Sequence, residues 1–439
     1  KLGVINFQAP DEGTGTDAIL VAAGIEAVSE GDFSSSSNAT KLSFKTASSE
    51  AAAEKMALSS DGNLTVSGSV STGNPINNKN LFINGGLNVW QRSTSATGIS
   101  SQAYHSVDRW NFGGTGGGGT MRHTMARSTT VPAGQGFGYS LKIDCTTADT
   151  DLGTDGLITL NQKIEGQNLQ RIKKGTASAD SLTLSFWVRS NLSGASNLLT
   201  CGLYDSDNTR SVSATVEIDS ADTWQKVEIT FPADTSGALG NDNNNSLQVD
   251  IYMGVGSQFT SGTMGTTWAS YSNANLASSN TMNLASSTDN EILFAGFQLE
   301  QGTKATDFEF EPYDMVLQKC KRYLQSFTAA SNYARFAIGQ AFGTGGDDVL
   351  FEFKFHPEMR GTPTLSTGTL SDLAVTDNDQ DLTARGIDSA LSIDTNTDGP
   401  QGTNVLAPDI SGNPMTTGAM SFLIANNNTN AVLNFDAEL

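Results

Sequence analysis

Hydrophobic and polar residues alternate with a period of two along much of the chain, which is the pattern of β-strands that bury one face. In one such stretch Leu184, Phe186 and Val188 share a face, while Trp187 and Arg189 lie on the other. The same alternation is found in the stretches 139–145, 225–231, 247–255 and 293–299. Strands of this kind, joined by loops rich in Gly, Asn and Ser, predict an antiparallel two-sheet sandwich of the jelly-roll type.

The first 75 residues carry shorter alternating runs separated by turns. The segment 41–46 alternates with period two, and Asp61-Gly62 separates two alternating runs, which predicts a β-hairpin. The segment 48–58 favours a helix locally but is short. The region contains too little apolar material for a core of its own. We therefore expect it to gain stability by pairing with copies of itself.

One segment has the period of a helix. Between residues 312 and 327, apolar residues recur at the i, i+3, i+4 and i+7 spacing of a single helical stripe. Pro312 suits the first turn, Asp314 complements the amino end of the helix dipole, and Lys321 lies toward the carboxyl end. The pattern predicts a connecting helix whose apolar stripe packs on the sandwich or against another subunit.

These patterns divide a mainly β chain into four parts. We expect a shaft-like β-hairpin segment at 1–75 and a central jelly-roll β-sandwich at 76–311, which contains all five tryptophans. A connecting α-helix follows at 312–327, and residues 328–439 form a small C-terminal β-sandwich.

The segment NLFINGGLNVWQR, residues 80–92, marks the passage from the shaft-like part to the sandwich. We expect Phe82 and Ile83 to enter the sandwich as part of a strand. The Asn-Gly-Gly at 84–86 allows a tight backbone turn. Trp90 is expected to fill the core or a sheet edge.

Composition narrows the partners that the chain can have. The net charge is −21, from 46 acidic and 25 basic residues, whereas nucleic-acid binding needs clustered Lys and Arg. The same charge argues against an anionic membrane surface, and no apolar run approaches the ~18 residues of a membrane span. We therefore expect no nucleic-acid partner and no membrane insertion. Because the chain begins at Lys1 rather than Met, we expect it to be a portion of a longer protein.

Residues of known catalytic motifs are scarce. The sequence has three histidines and no nucleophile-elbow, zinc-protease or phosphate-loop motif. Paired carboxylates hydrolyse glycosides without histidine, and Glu291, Glu300 and Asp250 are carboxylates that could face a cleft. Because acidic residues are abundant, their presence alone decides nothing, and we expect no enzymatic activity.

One acidic turn raises the question of calcium. The segment 394–399 begins like a calcium loop, with Asp394, Asn396 and Asp398 at alternate positions. Its twelfth position is Val405 rather than Glu, so the full motif fails. The three cysteines are too far apart for a metal site or a disulfide framework. We expect no cofactor, with calcium at this turn as the alternative.

The polar faces of the predicted strands supply candidates for ligand binding. Trp187 and Arg189 lie opposite the apolar face of one strand, and Asp250 and Tyr252 lie opposite that of another. An aromatic ring beside charged groups suits a sugar, because the ring packs on the C–H face and the polar groups bind hydroxyls. The alternative is that the helix, the loops or an adjacent subunit cover these rings.

Several segments recur together, in the same order, in one protein family. They are NLFINGGLNVWQRSTS (80–95), YHSVDRWNF (104–112), LSFWVRSN (184–191), DTWQKVEITFPADT (222–235), the stretch 294–327 and FHPEMRGTPTL (355–365). The chain resembles the receptor-binding end of bacteriophage tail fibre proteins, especially those of marine and cyanobacterial phages. The segment 54–70 resembles the strand-turn repeats in the shafts of such fibres.

The resemblance implies a virion protein of the tail fibre, assembled as a homotrimer. It also implies a jelly roll like that of carbohydrate-binding modules, followed by a distal β domain. The implied partners are other phage tail proteins and host cell-surface polysaccharide. The family has no established catalytic residues, so none is transferred to this chain.

The sequence therefore favours a structural protein that mediates adsorption to the host cell surface by binding glycan. Two alternatives remain open. One is a tailspike-type polysaccharide depolymerase, although the long β-helical repeat typical of such enzymes is missing. The other is an appendage of the capsid or tail hub with a role in assembly.

Overall fold

A computed structural model describes residues 1–9, 19–68, 78–115, 119–342, 347–377, 384–394, 399–410 and 415–439. The chain forms two compact units, Lys1–Asn77 and Asn78–Leu439. The fold is almost entirely β, with one α-helix among the described residues, which confirms the predicted fold class.

The first unit is a single antiparallel sheet whose strands are neighbours in chain order. Its strands are β1 (Gly3–Phe7), β2 (Ala23–Ser29), β3 (Thr40–Thr46), β4 (Ala53–Leu58) and β5 (Leu64–Val66). The predicted hairpin around Asp61-Gly62 is β4 and β5, paired through Leu58 and Leu64. The locally helix-favouring segment forms β4, because pairing on both sides outweighs a weak local propensity.

The second unit begins with a sandwich of twelve strands. They are β6 (Ser95–Ile99), β7 (Asn111–Thr115), β8 (Arg122–Ser128), β9 (Ser140–Thr147), β10 (Leu157–Glu165), β11 (Leu182–Ser190), β12 (Leu199–Asp205), β13 (Arg210–Val216), β14 (Gln225–Phe231), β15 (Asn245–Val255), β16 (Ala269–Ser270) and β17 (Glu291–Gln301). The sheet with order β16-β13-β12-β15-β10-β7 is termed the front sheet. The sheet with order β14-β11-β17-β9-β8-β6 is termed the back sheet.

The core of the sandwich lies between these two sheets. The alternating apolar residues of β11 and β15, such as Leu184, Phe186 and Ile251, are buried in one continuous cluster. The polar residues between them therefore face outward, away from the core. The predicted two-sheet sandwich and its strands are confirmed, and each sheet is antiparallel throughout.

The connecting helix, α1, spans Tyr313–Lys321 and is shorter than predicted. The chain then forms β18 (Leu324–Thr328), so the expectation that the helix continues to 327 is wrong. Phe327 fits the helical spacing, but the segment finds a strand partner near the end of the chain, and that pairing determines its conformation. The helix buries Val316 and Cys320 against Val89.

The C-terminal lobe consists of a three-stranded sheet, β18-β26-β21, and a six-stranded sheet, β22-β25-β19-β20-β24-β23. Its strands after β18 are β19 (Arg335–Phe342), β20 (Asp348–Lys354), β21 (Thr364–Thr367), β22 (Leu373–Asp377), β23 (Ser392–Ile393), β24 (Gly402–Ala407), β25 (Met420–Ala425) and β26 (Val432–Asp436). Phe351, Phe353 and Phe435 pack between the sheets. The small C-terminal sandwich is confirmed, and it begins four residues earlier than predicted.

Candidate functional site

The four residues predicted to bind glycan lie on two separate faces of the sandwich. Trp187 and Arg189 are on β11, on the outer side of the back sheet, whereas Asp250 and Tyr252 are on β15, on the outer side of the front sheet. Because the sheets pack face to face, their outer sides point away from each other. The structure therefore does not combine the four residues into one site.

The outer side of the back sheet carries paired charges around Trp187. The Arg189 guanidinium lies 3.1 Å from both the Asp222 carboxylate and the Glu291 carboxylate. Lys142 contacts the second Glu291 oxygen at 2.6 Å. Trp187 itself is half-buried. These charged groups already have partners, so this face offers a ring but little unused hydrogen-bonding capacity.

The outer side of the front sheet has a different character. Five residues that pair directly with one another across neighbouring strands form a line over this sheet. They are Asn111, Asn161, Asp250, Gly202 and Ser213. We term this line the polar row. Asparagine and aspartate are disfavoured in strand interiors, so three of them side by side indicate a local requirement for polar groups.

The polar row contains hydrogen-bonding groups that have no partner among the described residues. Asn161 is 2% exposed, and its side-chain oxygen accepts no hydrogen bond. The side-chain oxygen of Asn111, on the neighbouring strand, is also buried and has no hydrogen-bond partner among the described residues. Buried polar atoms are almost always satisfied in folded proteins. Two adjacent exceptions on one face mark a local shortage of hydrogen-bond donors among the described residues.

Asp250 lies at the centre of the polar row. Its carboxylate accepts a hydrogen bond of 2.7 Å from Gln248 Nε2 and forms no ion pair among the described residues. Burial raises the pKa of Asp250 to about 6. A carboxyl group without an ionic partner destabilises the folded protein at neutral pH, and such groups are concentrated at functional sites.

Aromatic rings lie on both sides of the row, with Tyr204 beside Gln248 on one side and Tyr252 beside Thr200 on the other. The rings of Tyr204 and Tyr271 are half-buried, with centroids 5.0 Å apart. Tyr252 lies deeper, because Phe259 and Leu276 from the long loop after β15 pack on it. This loop covers the Tyr252 ring, so the expectation that it offers a sugar-binding face is corrected. The accessible rings are Tyr204 and Tyr271.

The end of the chain contacts Lys163, which lies on the same side of the row as Tyr204 because both residues pair with Gln248. Lys163 Nζ donates a hydrogen bond of 2.8 Å to the main-chain oxygen of Leu439, and the Tyr104 hydroxyl donates one of 3.2 Å to the same atom. Gln102 donates a hydrogen bond to Thr159, which lies on the side of the row that carries Tyr252. The C-terminal residues thus contribute to the surroundings of the row.

Sequence reasoning identified Asp250 and Tyr252 on this face but missed Asn111, Asn161 and Tyr204. The alternation of Thr159, Asn161 and Lys163 in β10 was a usable signal, because an asparagine in a strand interior is unusual. No sequence signal places β7, β10, β15 and β12 side by side. Their order in the sheet does not follow their order in the chain.

The carboxylates considered for hydrolysis do not converge. Asp250 belongs to the front sheet, whereas Glu291 and Glu300 belong to β17 of the back sheet. Glu291 forms ion pairs, and Glu300 accepts hydrogen bonds of 2.8 Å from Gln298 Nε2 and from the Thr306 main-chain nitrogen. Each therefore has a structural partner of its own.

The predicted calcium turn falls only in part within the described residues. Asp394 is described, whereas Asn396 and Asp398 lie outside them. Elsewhere in the described ranges, no group of three or more His, Cys, Asp or Glu residues could hold a metal ion. No helix in the described part of the chain is long and apolar enough to cross a membrane.

The segment 80–92 does not form a strand. Phe82 is buried against Trp110 and Phe297, as expected, but its backbone runs as an irregular segment. Asn84 adopts a positive φ of 59°, and its side-chain oxygen accepts hydrogen bonds from the main-chain nitrogens of residues 88 and 89 at 2.9 and 3.1 Å. Gly85 lies so close to the Phe297 carbonyl that a Cβ has no room. The segment is a tight turn, not a ligand loop, and Trp90 is half-buried beside the core.

This turn forms part of a junction between the sandwich and the C-terminal lobe. Arg109 is buried with its guanidinium 3.4 Å from the centroid of the Tyr323 ring, and it forms an ion pair with Glu438. Arg92 binds Asp436 at 2.6 Å. These residues come from segments that carry the family resemblance and from the C-terminal end of the chain.

Two further arginines complete the junction. Arg322 donates two hydrogen bonds of 2.9 Å to Glu165, one to each carboxylate oxygen. Arg360 donates to the main-chain oxygens of Ala437 at 2.7 Å and Glu438 at 3.0 Å. The recognisable segments therefore hold the two β modules together, and one of them, 104–112, also supplies Asn111 to the polar row.

No protein-family model matches the chain, and no curated protein matches it. Among solved structures, the chain is similar to the enzymatically active domain of bacteriophage CBA120 tailspike protein 4, with 12% identity over 44% of this chain and a TM-score of 0.25. It covers only 19% of that tailspike structure.

Two carbohydrate-binding modules show a similar degree of likeness. The family 11 module from Clostridium thermocellum has 12% identity over 48% of this chain and 99% of that structure, with a TM-score of 0.24. The CBM22-1 xylan-binding domain from Paenibacillus barcinonensis has 13% identity over 48% of this chain and 94% of that structure, with a TM-score of 0.22. At such TM-scores these likenesses carry no argument about function, which has to rest on the site itself.

Proposed function

We propose that the chain is a non-enzymatic adhesive protein of the phage tail-fibre kind, which binds glycan on the host cell surface through the polar row. The observation that carries the proposal is the pair of unpartnered side-chain oxygens at Asn111 and Asn161, next to the buried carboxyl of Asp250. Sugar hydroxyls are donors of the kind that these oxygens lack, and the Tyr204 and Tyr271 rings lie at the border to pack on sugar C–H groups.

The proposal is tested by measuring binding of the purified chain to host surface polysaccharide by calorimetry. Asn161→Ala and Asp250→Ala are expected to weaken binding at least about tenfold, a loss of ~1.4 kcal/mol. Lys226→Ala, on the outer side of the back sheet, serves as the matched control and is expected to bind normally. Folded Asn161→Ala protein with unchanged affinity would contradict the assignment of the site.

Trp187→Ala distinguishes the two faces of the sandwich. If the ligand lies on the front sheet, this variant retains full affinity while Asn161→Ala loses it. If Trp187→Ala alone abolishes binding in a folded protein, the glycan lies on the back sheet and the polar row is not the site.

We also infer that the chain assembles as a homotrimer in a virion tail fibre, together with other tail proteins. The resemblance implies this assembly, and the first unit offers a physical reason for self-association. One face of its sheet is a continuous apolar surface with Ile5 59% and Leu64 60% exposed. Other copies of the chain are the occupants proposed for this face. Labelled antibody against the chain is expected to mark tail fibres on intact particles, whereas labelling of the capsid or tail hub would favour the assembly-appendage alternative.

A polysaccharide depolymerase is the second candidate, and one observation favours it. Asp250, with a pKa raised to about 6, is suited to donate a proton near neutral pH. Glycoside hydrolysis by two carboxylates needs a second one roughly 5–9.5 Å away, whereas Glu291 and Glu300 belong to the opposite sheet. Release of reducing ends from host polysaccharide by the purified chain, lost in Asp250→Asn, would establish the enzyme and overturn the adhesive reading.

A further inference from the structure

The chemistry of the polar row selects among glycans by charge. The buried side-chain atoms of the row that have no partner among the described residues are acceptors, namely the side-chain oxygens of Asn111 and Asn161. The Asp250 carboxyl becomes an acceptor with a negative charge once it ionises. A ligand that satisfies them must present hydrogen-bond donors. Hydroxyl groups do so, whereas carboxylate, sulfate and phosphate groups present only acceptors.

The cations nearest the row are already engaged. Lys163, on β10 of the same sheet, donates to the Leu439 main-chain oxygen at 2.8 Å. Arg109 is paired with Glu438, and Arg360 donates to three main-chain oxygens, those of Asn243, Ala437 and Glu438. An anionic sugar at the row therefore meets the Asp250 carboxylate, and like charges at short range oppose binding.

The shape of the row indicates an extended ligand. The row crosses β7, β10, β15, β12 and β13, and neighbouring strands are about 4.8 Å apart, so its length is roughly 19 Å. Gly202 has no side chain, and the Tyr252 ring and the Ser213 hydroxyl lie 3.3 Å from the position of a Cβ there. A chain of several sugar rings that lies across the strands is long enough to span the row.

We propose that the row binds an uncharged polysaccharide chain and excludes acidic polysaccharides. This inference rests on the proposed glycan-binding function of the same site and specifies the class of glycan. The bound chain crosses the strands of the front sheet, with its hydroxyl groups donating to the row and its C–H faces toward Tyr204 and Tyr271.

The test compares two panels of soluble polysaccharides by calorimetry at pH 7.5. One panel is neutral (glucan, mannan, galactan) and the other acidic (alginate, pectate, carrageenan). At least one neutral polymer is expected to bind about tenfold or more tightly than every acidic one. Its affinity should change less than about twofold between 50 and 500 mM NaCl, because no ion pair is screened. Asn161→Ala should lose this binding, with Lys226→Ala as the control.

The outcomes separate a failure of the neutral-glycan inference from a failure of the site and from a failure of the proposed function. Tighter binding of an acidic polymer, weakened by salt and lost in Asn161→Ala, would overturn the neutral class and leave the glycan-binding function intact. Binding that survives both Asn161→Ala and Asp250→Asn would overturn the site. If neither panel binds, the proposed function and this inference both fail. Asp250→Asn serves if Asn161→Ala does not fold, because it keeps the shape of the side chain.

Discussion

Asp250 is a buried carboxyl group that lowers the stability of the fold at neutral pH. Burial raises its pKa to about 6, above the 3.8 expected for an exposed aspartate. The folded protein therefore holds this proton more tightly than the unfolded chain. The contribution of Asp250 to the free energy of unfolding is therefore most favourable below pH 3.8, and it is lost as the pH rises through 6.

Asp250→Asn is accordingly expected to raise the free energy of unfolding at pH 7.5 by up to about 3 kcal/mol, since one pKa unit corresponds to ~1.4 kcal/mol. The gain should disappear near pH 4. Urea unfolding at the two pH values measures it. A variant that is equally stable or less stable at pH 7.5 would show that the carboxyl is not held in an unfavourable environment.

His123 has the opposite dependence on pH. It is fully buried, packs edge-on against Phe112, and has no hydrogen-bond partner for either ring nitrogen among the described residues. Burial lowers the pKa of His123 to about 4. The unfolded chain, with a histidine pKa near 6.5, binds the proton first, so the neutral ring stabilises the fold above pH 6.5 and loses that advantage as the pH falls toward 4.

His123→Leu should remove this acid sensitivity. As the pH falls from 7.5 to 4, the natural chain is expected to lose about 3 kcal/mol more of its free energy of unfolding than the variant does. Urea unfolding at these two pH values again gives the result. Parallel pH profiles for the two proteins would mean that His123 is protonated in the fold or reaches solvent.

At the scale of elements, the outward and inward sides of the strands could be predicted, but their neighbours could not. Alternation placed Asp250 on the outer side of β15 and Trp187 on the outer side of β11, and both assignments are correct. Alternation cannot tell that these strands belong to different sheets, because strand order depends on contacts far apart in sequence. The polar row could not be found from one strand, since each strand contributes a single residue to it.

The end of the helix was also beyond local reasoning. The spacing of Phe327 fits a helix, yet this residue lies in β18, which pairs with β26 more than a hundred residues later. A strand partner near the end of the chain is not visible in a window of sixteen residues. The same C-terminal segment supplies Asp436 and Glu438 to the junction with the sandwich.

Glu438→Gln tests the junction. It removes the charge that faces the buried guanidinium of Arg109, whose side chain is 1% exposed. Loss of one partner of a buried ion pair typically destabilises a protein by about 3–5 kcal/mol, and a loss in that range is expected in urea unfolding. Glu352→Gln is the matched control, because its pair with Lys354 is exposed and should contribute less than ~1 kcal/mol. Equal effects of the two variants would show that the junction is not a stabilising element.

At the scale of the whole molecule, the first unit is a sheet whose two faces differ. Ile5, Ile25, Phe44, Met56 and Val66 align across all five strands on one face. The opposite face carries Glu26 with its lysine partners, among other polar residues. A single sheet with a continuous exposed apolar face is expected to associate.

Ile5→Lys should therefore weaken self-association, because it places a charge in the apolar face. Val4→Lys, one residue away on the polar face and paired with Glu26, is the matched control. Light scattering is expected to give three times the chain mass of 46.1 kDa for the natural protein and for Val4→Lys, and a smaller mass for Ile5→Lys at low concentration. A monomeric natural chain would contradict the proposed trimer.

We propose that glycan binds to the front sheet at the polar row. Hydrogen–deuterium exchange of the chain with and without host surface polysaccharide tests it most directly, because the readout assigns the contact to individual strands. We expect slower exchange in β10 and β15 and in the loop that carries Tyr271, with β11 and β14 unchanged. Protection confined to β11 and β14, or no protection while polysaccharide is bound, would contradict it.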